Sequence, residues 1–137
     1  MELKLLQVRE ATGEYIRMPC NVVDIMVEEA KADREAMWVL HLTTKLQIIE
    51  KELVALGSLD GAYVYPRETF RKAVINSSAN IMTVHNHPSG DPGPSKEDIE
   101  IWDRLVKAGQ ILGIAVLDHI IITASGKYYS WKEHQAR

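Results

Sequence analysis

The apolar positions along the chain fall into two rhythms, short β-like runs and longer stretches with helical spacing. Residues 2–9 alternate weakly through Leu3, Leu5, Leu6 and Val8, a turn-like stretch follows at 11–14, and residues 15–18 can return as the second strand of a hairpin. Asn21 is placed to cap a helix carrying Asp24, Val22, Val23, Ile25, Met26, Val27 and Ala30, which the pattern ends near Lys31. The run Ala36-Met37-Trp38-Val39-Leu40-His41-Leu42 has the length and composition of a central strand, and residues 48–56 supply its neighbour. Gly57 and Gly61 bracket a loop. Pro66 opens a second helix, with Phe70, Ala73 and Val74 on its face and an end near residues 76–78.

Residues 79–84 form the next strand. Ser95 starts a helix whose Ile99, Trp102, Leu105 and Val106 make an amphipathic stripe, ended by Gly109 and Gly113. Residues 114–123 are strongly β-like, Gly126 marks a turn, and residues 128–131 close the sheet. The expectation is an α/β fold, a mixed β-sheet with flanking helices. No repeat, low-complexity tract or linker divides the chain, and its 137 residues suit one domain with a core of its own.

Composition narrows the class. Hydrophobic residues at 46% and charged residues at 26% are ordinary for a soluble globular protein. A net charge of −3 and a pI near 5.9 offer no electrostatic footprint for nucleic acid. The one cysteine, Cys20, excludes an intramolecular disulfide and points to a reducing compartment. Cys20 lies far in sequence from the other reactive side chains, so a structural role is expected for it. No stretch has the length of a transmembrane helix and no signal-like apolar core stands at the N-terminus, so a cytoplasmic location is expected.

The chemistry concentrates between residues 84 and 98. His85 and His87 stand one residue apart at the end of an apolar run, so on a strand both imidazoles aim from one face. A loop rich in Pro and Gly follows, and Asp98 then sits in the first turn of the helix that Ser95 opens. Two histidines, a carboxylate and an open fourth position are the usual ligands of a catalytic zinc. Ser95 and Asp98 also read as a capping box with Asp in place of Glu, which accounts for that pair without metal but not for the histidines. Asn86 points away from its neighbours by strand alternation. Asp91 reads first as a turn residue in Gly-Asp-Pro, with a supporting acid role as the alternative. His119, within Leu117-Asp118-His119-Ile120-Ile121-Ile122, reads as a hydrogen-bonded core residue.

His-x-His, seven residues, Ser, two residues, Asp resembles the JAMM (MPN+) metalloprotease motif, matched here by His85, His87, Ser95 and Asp98. The longer wording His-Asn-His-Pro-Ser-Gly-Asp-Pro-x-Pro-Ser-x-x-Asp is similar to the RadC branch of that superfamily. Tyr65-Pro66-Arg67-Glu68 and residues 117–122 are similar to RadC as well, and the likeness runs from about residue 33 to 131. The resemblance implies the JAMM/MPN, cytidine-deaminase-like architecture, here as a RadC catalytic-type domain without the helix-hairpin-helix-type region of longer RadC proteins.

It implies further that His85, His87 and Asp98 hold Zn2+, whose bound water would be activated to attack a peptide or isopeptide carbonyl. The family's glutamate stands just before the strand that follows the first helix, which points to Glu35 as the catalytic base, with Glu52 and Glu68 as alternatives. Ser95 would donate a hydrogen bond to the oxyanion that develops in the transition state or to the bound water. The expected partner is therefore a peptide or protein substrate. Two other readings stand beside this one. The RadC family carries a DNA-repair label, which gives nucleic acid as a partner by label only, and a non-catalytic metal-binding scaffold is the third.

Overall fold

The computed structural model describes residues 13–57 and 64–135. Five strands form one mixed sheet: β1 (Ala36–Leu42), β2 (Ile48–Leu56), β3 (Asn80–Asn86), β4 (Ala115–Ile122) and β5 (Tyr128–Ser130), in the order β2-β1-β3-β4-β5. Only β3 and β4 run parallel; the other neighbours are antiparallel. The fold class is as expected, α/β with a mixed sheet between helices.

The strands that cross the middle are buried on both faces, and each face has its own core. On one side Val22, Met26 and Ala30 pack on Trp38, Leu40, Val84, Ile120 and Ile122. On the other, Phe70, Ala73, Ile101, Trp102 and Leu105 cover Met37, Val39, Ile81 and Ile121. Odd and even positions of β1 thus serve opposite cores, which is why its sequence is apolar throughout instead of alternating.

Helix α2 (Pro66–Ile75) starts with Pro66 in its first turn, where the missing N–H removes no helical bond. Helix α3 (Lys96–Leu112) makes the crossover between the parallel strands β3 and β4. Gly109 lies inside α3 and does not end it; the helix runs on to a cap at Gly113. Its role is steric, because a Cβ there would stand 2.4 Å from the Ile114 carbonyl oxygen. The glycine lets the helix rest against the backbone that leads into β4.

The N-terminal half departs from the pattern in detail. Helix α1 is Pro19–Ile25 with Met18 as its N-cap, three residues earlier than the cap expected at Asn21. Pro19 suits the first helical position, and Asn21 Oδ1 accepts the N–H groups of Arg17 (2.9 Å) and Met18 (3.0 Å) from inside the helix. The helix also stops short of Lys31, and a separate 3-10 turn spans Glu29–Lys31. Val22, Met26 and Ala30 keep helical spacing across that break, so the sequence reads as one helix.

Tyr15 makes an isolated bridge to Gln47, and residues 2–9, expected as the hairpin partner of residues 15–18, lie outside the described residues, as does Gly61. At the other end Trp131 leaves the sheet and begins α4 (Trp131–Gln135). Ser130 Oγ accepts the Glu133 N–H at 3.1 Å, a helix start the strand-like pattern concealed. No helix among the described residues is long and apolar enough to cross a membrane.

Candidate metal centre

Topology brings the end of β3 and the start of α3 to one place. His85 lies on the face of β3 that packs against α2 and α3, and His87 follows one pleat later on the same face. The His87 N–H still bonds the Ile122 carbonyl at 3.0 Å, which continues the ladder to β4 past the assigned strand end. A turn closed by Gly90 N–H to His87 C=O (3.1 Å) then reverses the chain; Gly90 takes φ +89°, a conformation that favours glycine. The path returns to Ser95, the N-cap of α3. Ser95 Oγ accepts the Asp98 N–H at 3.1 Å, and Asp98 Oδ2 accepts the Ser95 N–H at 2.9 Å. This reciprocal cap fixes the Asp98 carboxylate inward, toward the histidines.

Three side chains meet there. His85 Nε2 and His87 Nε2 are 3.1 Å apart, His85 Nε2 is 3.3 Å from Asp98 Oδ1, and His87 Nε2 is 3.3 Å from Asp98 Oδ2. Among the described residues these three side chains form the one group of histidine, cysteine and acid placed to hold a metal ion. The spacing fits a small tetrahedral cation, since bonds of about 2.0–2.1 Å put neighbouring donors about 3.3–3.4 Å apart. The donor chemistry fits too. His87 Nδ1 donates to the Asp91 carbonyl at 2.8 Å, which leaves the Nε2 lone pair facing His85 and Asp98. Two imidazole nitrogens at this distance need a proton or a cation between them.

The metal-free electrostatics agree. The His87 pKa is raised above its ordinary value, chiefly by its hydrogen bond to Asp98, against burial, and with further support from the Asp91 carbonyl and the charges of Asp98 and Glu35. Burial pushes the Asp98 carboxyl up, but hydrogen bonds from His85 and His87 prevail and hold it well below the carboxylate range. This is an anionic nest for positive charge.

Glu35 stands one residue before β1. The antiparallel ladder of β1 and β3 ends at Met37 paired with His85, so Glu35 and His87 each follow two residues beyond that last pair. It is half-buried, its carbonyl accepts the Gly57 N–H at 2.7 Å, and its charge acts on His87. The alternatives lie elsewhere. Glu52 is bound to His41 Nε2 at 2.9 Å within β2, and Glu68 is exposed in the first turn of α2.

The supporting residues were partly foreseen. Asp91 is a turn residue whose carboxylate accepts the Gly93 N–H at 2.9 Å, yet its main-chain carbonyl is what orients His87. His119 is fully buried and outside the metal group, with Nδ1 2.6 Å from Thr83 Oγ1 and its ring stacked on Trp102 at 5.1 Å. Trp102 also meets His85 at 6.0 Å and so walls the centre. Asp118, which sequence reading passed over, is a buried carboxylate accepting from His119 N, Ser130 Oγ and Lys132 N at 2.8, 2.6 and 2.9 Å. It ties β4 to β5 and α4. A lone Asp before a histidine in an apolar strand carries no signal of that role.

Residues 16–136 match the family described as RadC-like JAB domain. The chain belongs to that family. It is 50% identical over 121 residues to a UPF0758 protein of Alkaliphilus oremlandii, covering 88% of this chain and 52% of the relative. A UPF0758 protein of Methanosarcina mazei is 45% identical over 125 residues, covering 90% and 54%. One from Bacillus cereus is 47% identical over 119 residues, covering 86% and 52%. The chain thus spans about half the length of these RadC-family relatives.

Proposed function

We propose that this RadC-like JAB domain is a zinc-dependent hydrolase of metallopeptidase type that cleaves a peptide or isopeptide bond. The observation that carries the reading is the convergence of His85 Nε2, His87 Nε2 and Asp98 at tetrahedral spacing, with the charge of Glu35 acting on His87. These three residues would hold the ion, which when bound supplies a Lewis acid and an activated water.

The chain's own residues have distinct tasks in this reading. The Asp91 carbonyl keeps the His87 proton on Nδ1, so that Nε2 stays a ligand. Glu35 takes a proton from water and passes it to the leaving amine, as amide hydrolysis requires of a nearby carboxylate. The Ser95 oxygen is occupied as an acceptor from Asp98 N–H, which leaves its hydroxyl proton to donate to an oxyanion. Trp102 and the buried ring of His119 keep water from the inner wall.

The test is metal content by elemental analysis, beside a His87→Ala, Asp98→Ala double variant. About one zinc per chain, lost in the variant, is expected, followed by hydrolysis of peptide or isopeptide substrates that Glu35→Gln abolishes. Wild-type protein that takes up no metal after incubation with zinc would overturn the hydrolase reading. Metal binding without hydrolysis across a broad substrate panel would favour a binding scaffold instead.

A further inference from the structure

We propose that Asn86 is a positioning residue that locks the backbone carrying Glu35 to the strand carrying the two histidines, so that base and ligands are held as one body. This rests on the proposed roles of Glu35, His85 and His87. Asn86 sits between the histidines in sequence but faces the other side of the sheet, and it is fully buried. Its Oδ1 accepts the Ala36 N–H at 2.8 Å, while Nδ2 donates to the Arg34 carbonyl at 3.0 Å and to the Ala32 carbonyl at 3.3 Å. Both amide hydrogens are used, and all three bonds go to main chain.

Those bonds bracket Glu35. The residue before it and the residue after it are both held by one side chain, and its own carbonyl is held from the far side by Gly57 N–H at 2.7 Å. The segment leaves a 3-10 turn at Lys31 and enters β1 only at Ala36, so little else in regular structure fixes it. The neighbours of Asn86 on that face, Val84 and Ile122, are apolar core residues, so packing alone does not call for an amide here. A buried amide is costly unless its hydrogen bonds are made. Here they set the position of a group whose displacement by about 1 Å can cost on the order of 100-fold in rate.

The test uses cobalt(II) as the probe, with the pH midpoint of its visible spectrum as a readout that needs no substrate. The proteins compared are wild type, Glu35→Gln, Asn86→Ala, the isosteric Asn86→Asp, and Val84→Ala, which trims a buried side chain on the same strand and face. Expected is one cobalt per chain throughout, with affinities within about threefold. The midpoint should move in Glu35→Gln, move the same way and at least half as far in both Asn86 variants, and stay in place in Val84→Ala. A wild-type midpoint in the Asn86 variants, or an equal shift in Val84→Ala, would overturn the proposal. An unmoved midpoint in Glu35→Gln would reject the assignment of Glu35 itself, and failure of the wild type to bind cobalt would reject the metal centre. Each of these is a different observation. Should both Asn86 variants fail to fold, amide exchange in the wild type decides: Ala36 N–H must be protected like the interior of β1, and loop-like exchange would overturn the clamp.

Discussion

His87 Nδ1 lies 2.8 Å from the carbonyl oxygen of Asp91, a residue in the turn that brings the chain back to Asp98. The same loop therefore brings Asp98 back to the histidines and selects the histidine tautomer. That bond fixes the ring orientation and keeps a proton on Nδ1, so the titrating nitrogen is Nε2.

Metal binding should accordingly compete with a proton on His87. The hydrogen bond to Asp98 raises the pKa of His87 above its ordinary value of 6.5. A ligand histidine must be neutral, so apparent zinc affinity should fall about tenfold per pH unit below that raised pKa. Chelator competition between pH 5 and 8 should place the onset of the decline above 6.5. An onset at or below that value would contradict the geometry. In metal-free protein the sign is reversed: the His87–Asp98 pair stabilises the fold below the unfolded histidine pKa and loses that effect as pH rises through the raised one.

His119 should make the fold acid-sensitive. Burial, with the nearby His85 adding to it, lowers its pKa to about 3 from 6.5. The unfolded chain then binds a proton that the native state refuses, so stability declines as pH falls from 6.5 toward 3. The slope is about 1.4 kcal/mol per pH unit. Denaturant unfolding between pH 7 and 4 should show it as the difference between wild type and His119→Gln, in which other titrating groups cancel. Parallel pH profiles would refute it.

Ser95→Ala separates two tasks of one hydroxyl. Loss of the cap on α3 should cost about 1 kcal/mol of stability, with zinc stoichiometry kept because Asp98 still accepts the Ser95 backbone N–H. If the hydroxyl also serves the transition state, hydrolysis should fall by roughly 100-fold or more, beyond what the stability loss explains. Unchanged turnover would confine Ser95 to capping.

Gly109→Ala should destabilise despite alanine's better helix propensity, a gain of about 1 kcal/mol. The added Cβ meets the Ile114 carbonyl oxygen at 2.4 Å and the Val116 and Phe70 side chains at 3.3 and 3.4 Å. A backbone oxygen cannot rotate aside, so a net loss of about 1–3 kcal/mol is expected from chemical denaturation. A neutral or stabilising result would mean that α3 does not rest on Ile114 as described.

The sequence by itself determined the elements whose signal is local. Apolar runs located β1 to β4, Pro66 and Ser95 marked two helix starts, and two histidines on alternate residues announced a shared face. Those signals need only neighbours along the chain, because strand alternation and capping act over one to four residues. The same locality misled where one rhythm spans a break, as at Val22, Met26 and Ala30, and where a glycine inside a helix resembles a terminator, as at Gly109.

Tertiary structure decided everything that depends on which strands lie side by side. It brought the charge of Glu35 to bear on His87 while binding Glu52 to His41, gave Asp118 its three donors, and turned Asn86 from a bystander into the holder of the Glu35 segment. Hydrogen bonds between residues distant in the chain form only once the sheet fixes strand order and register, and no spacing along one segment encodes its partner in another.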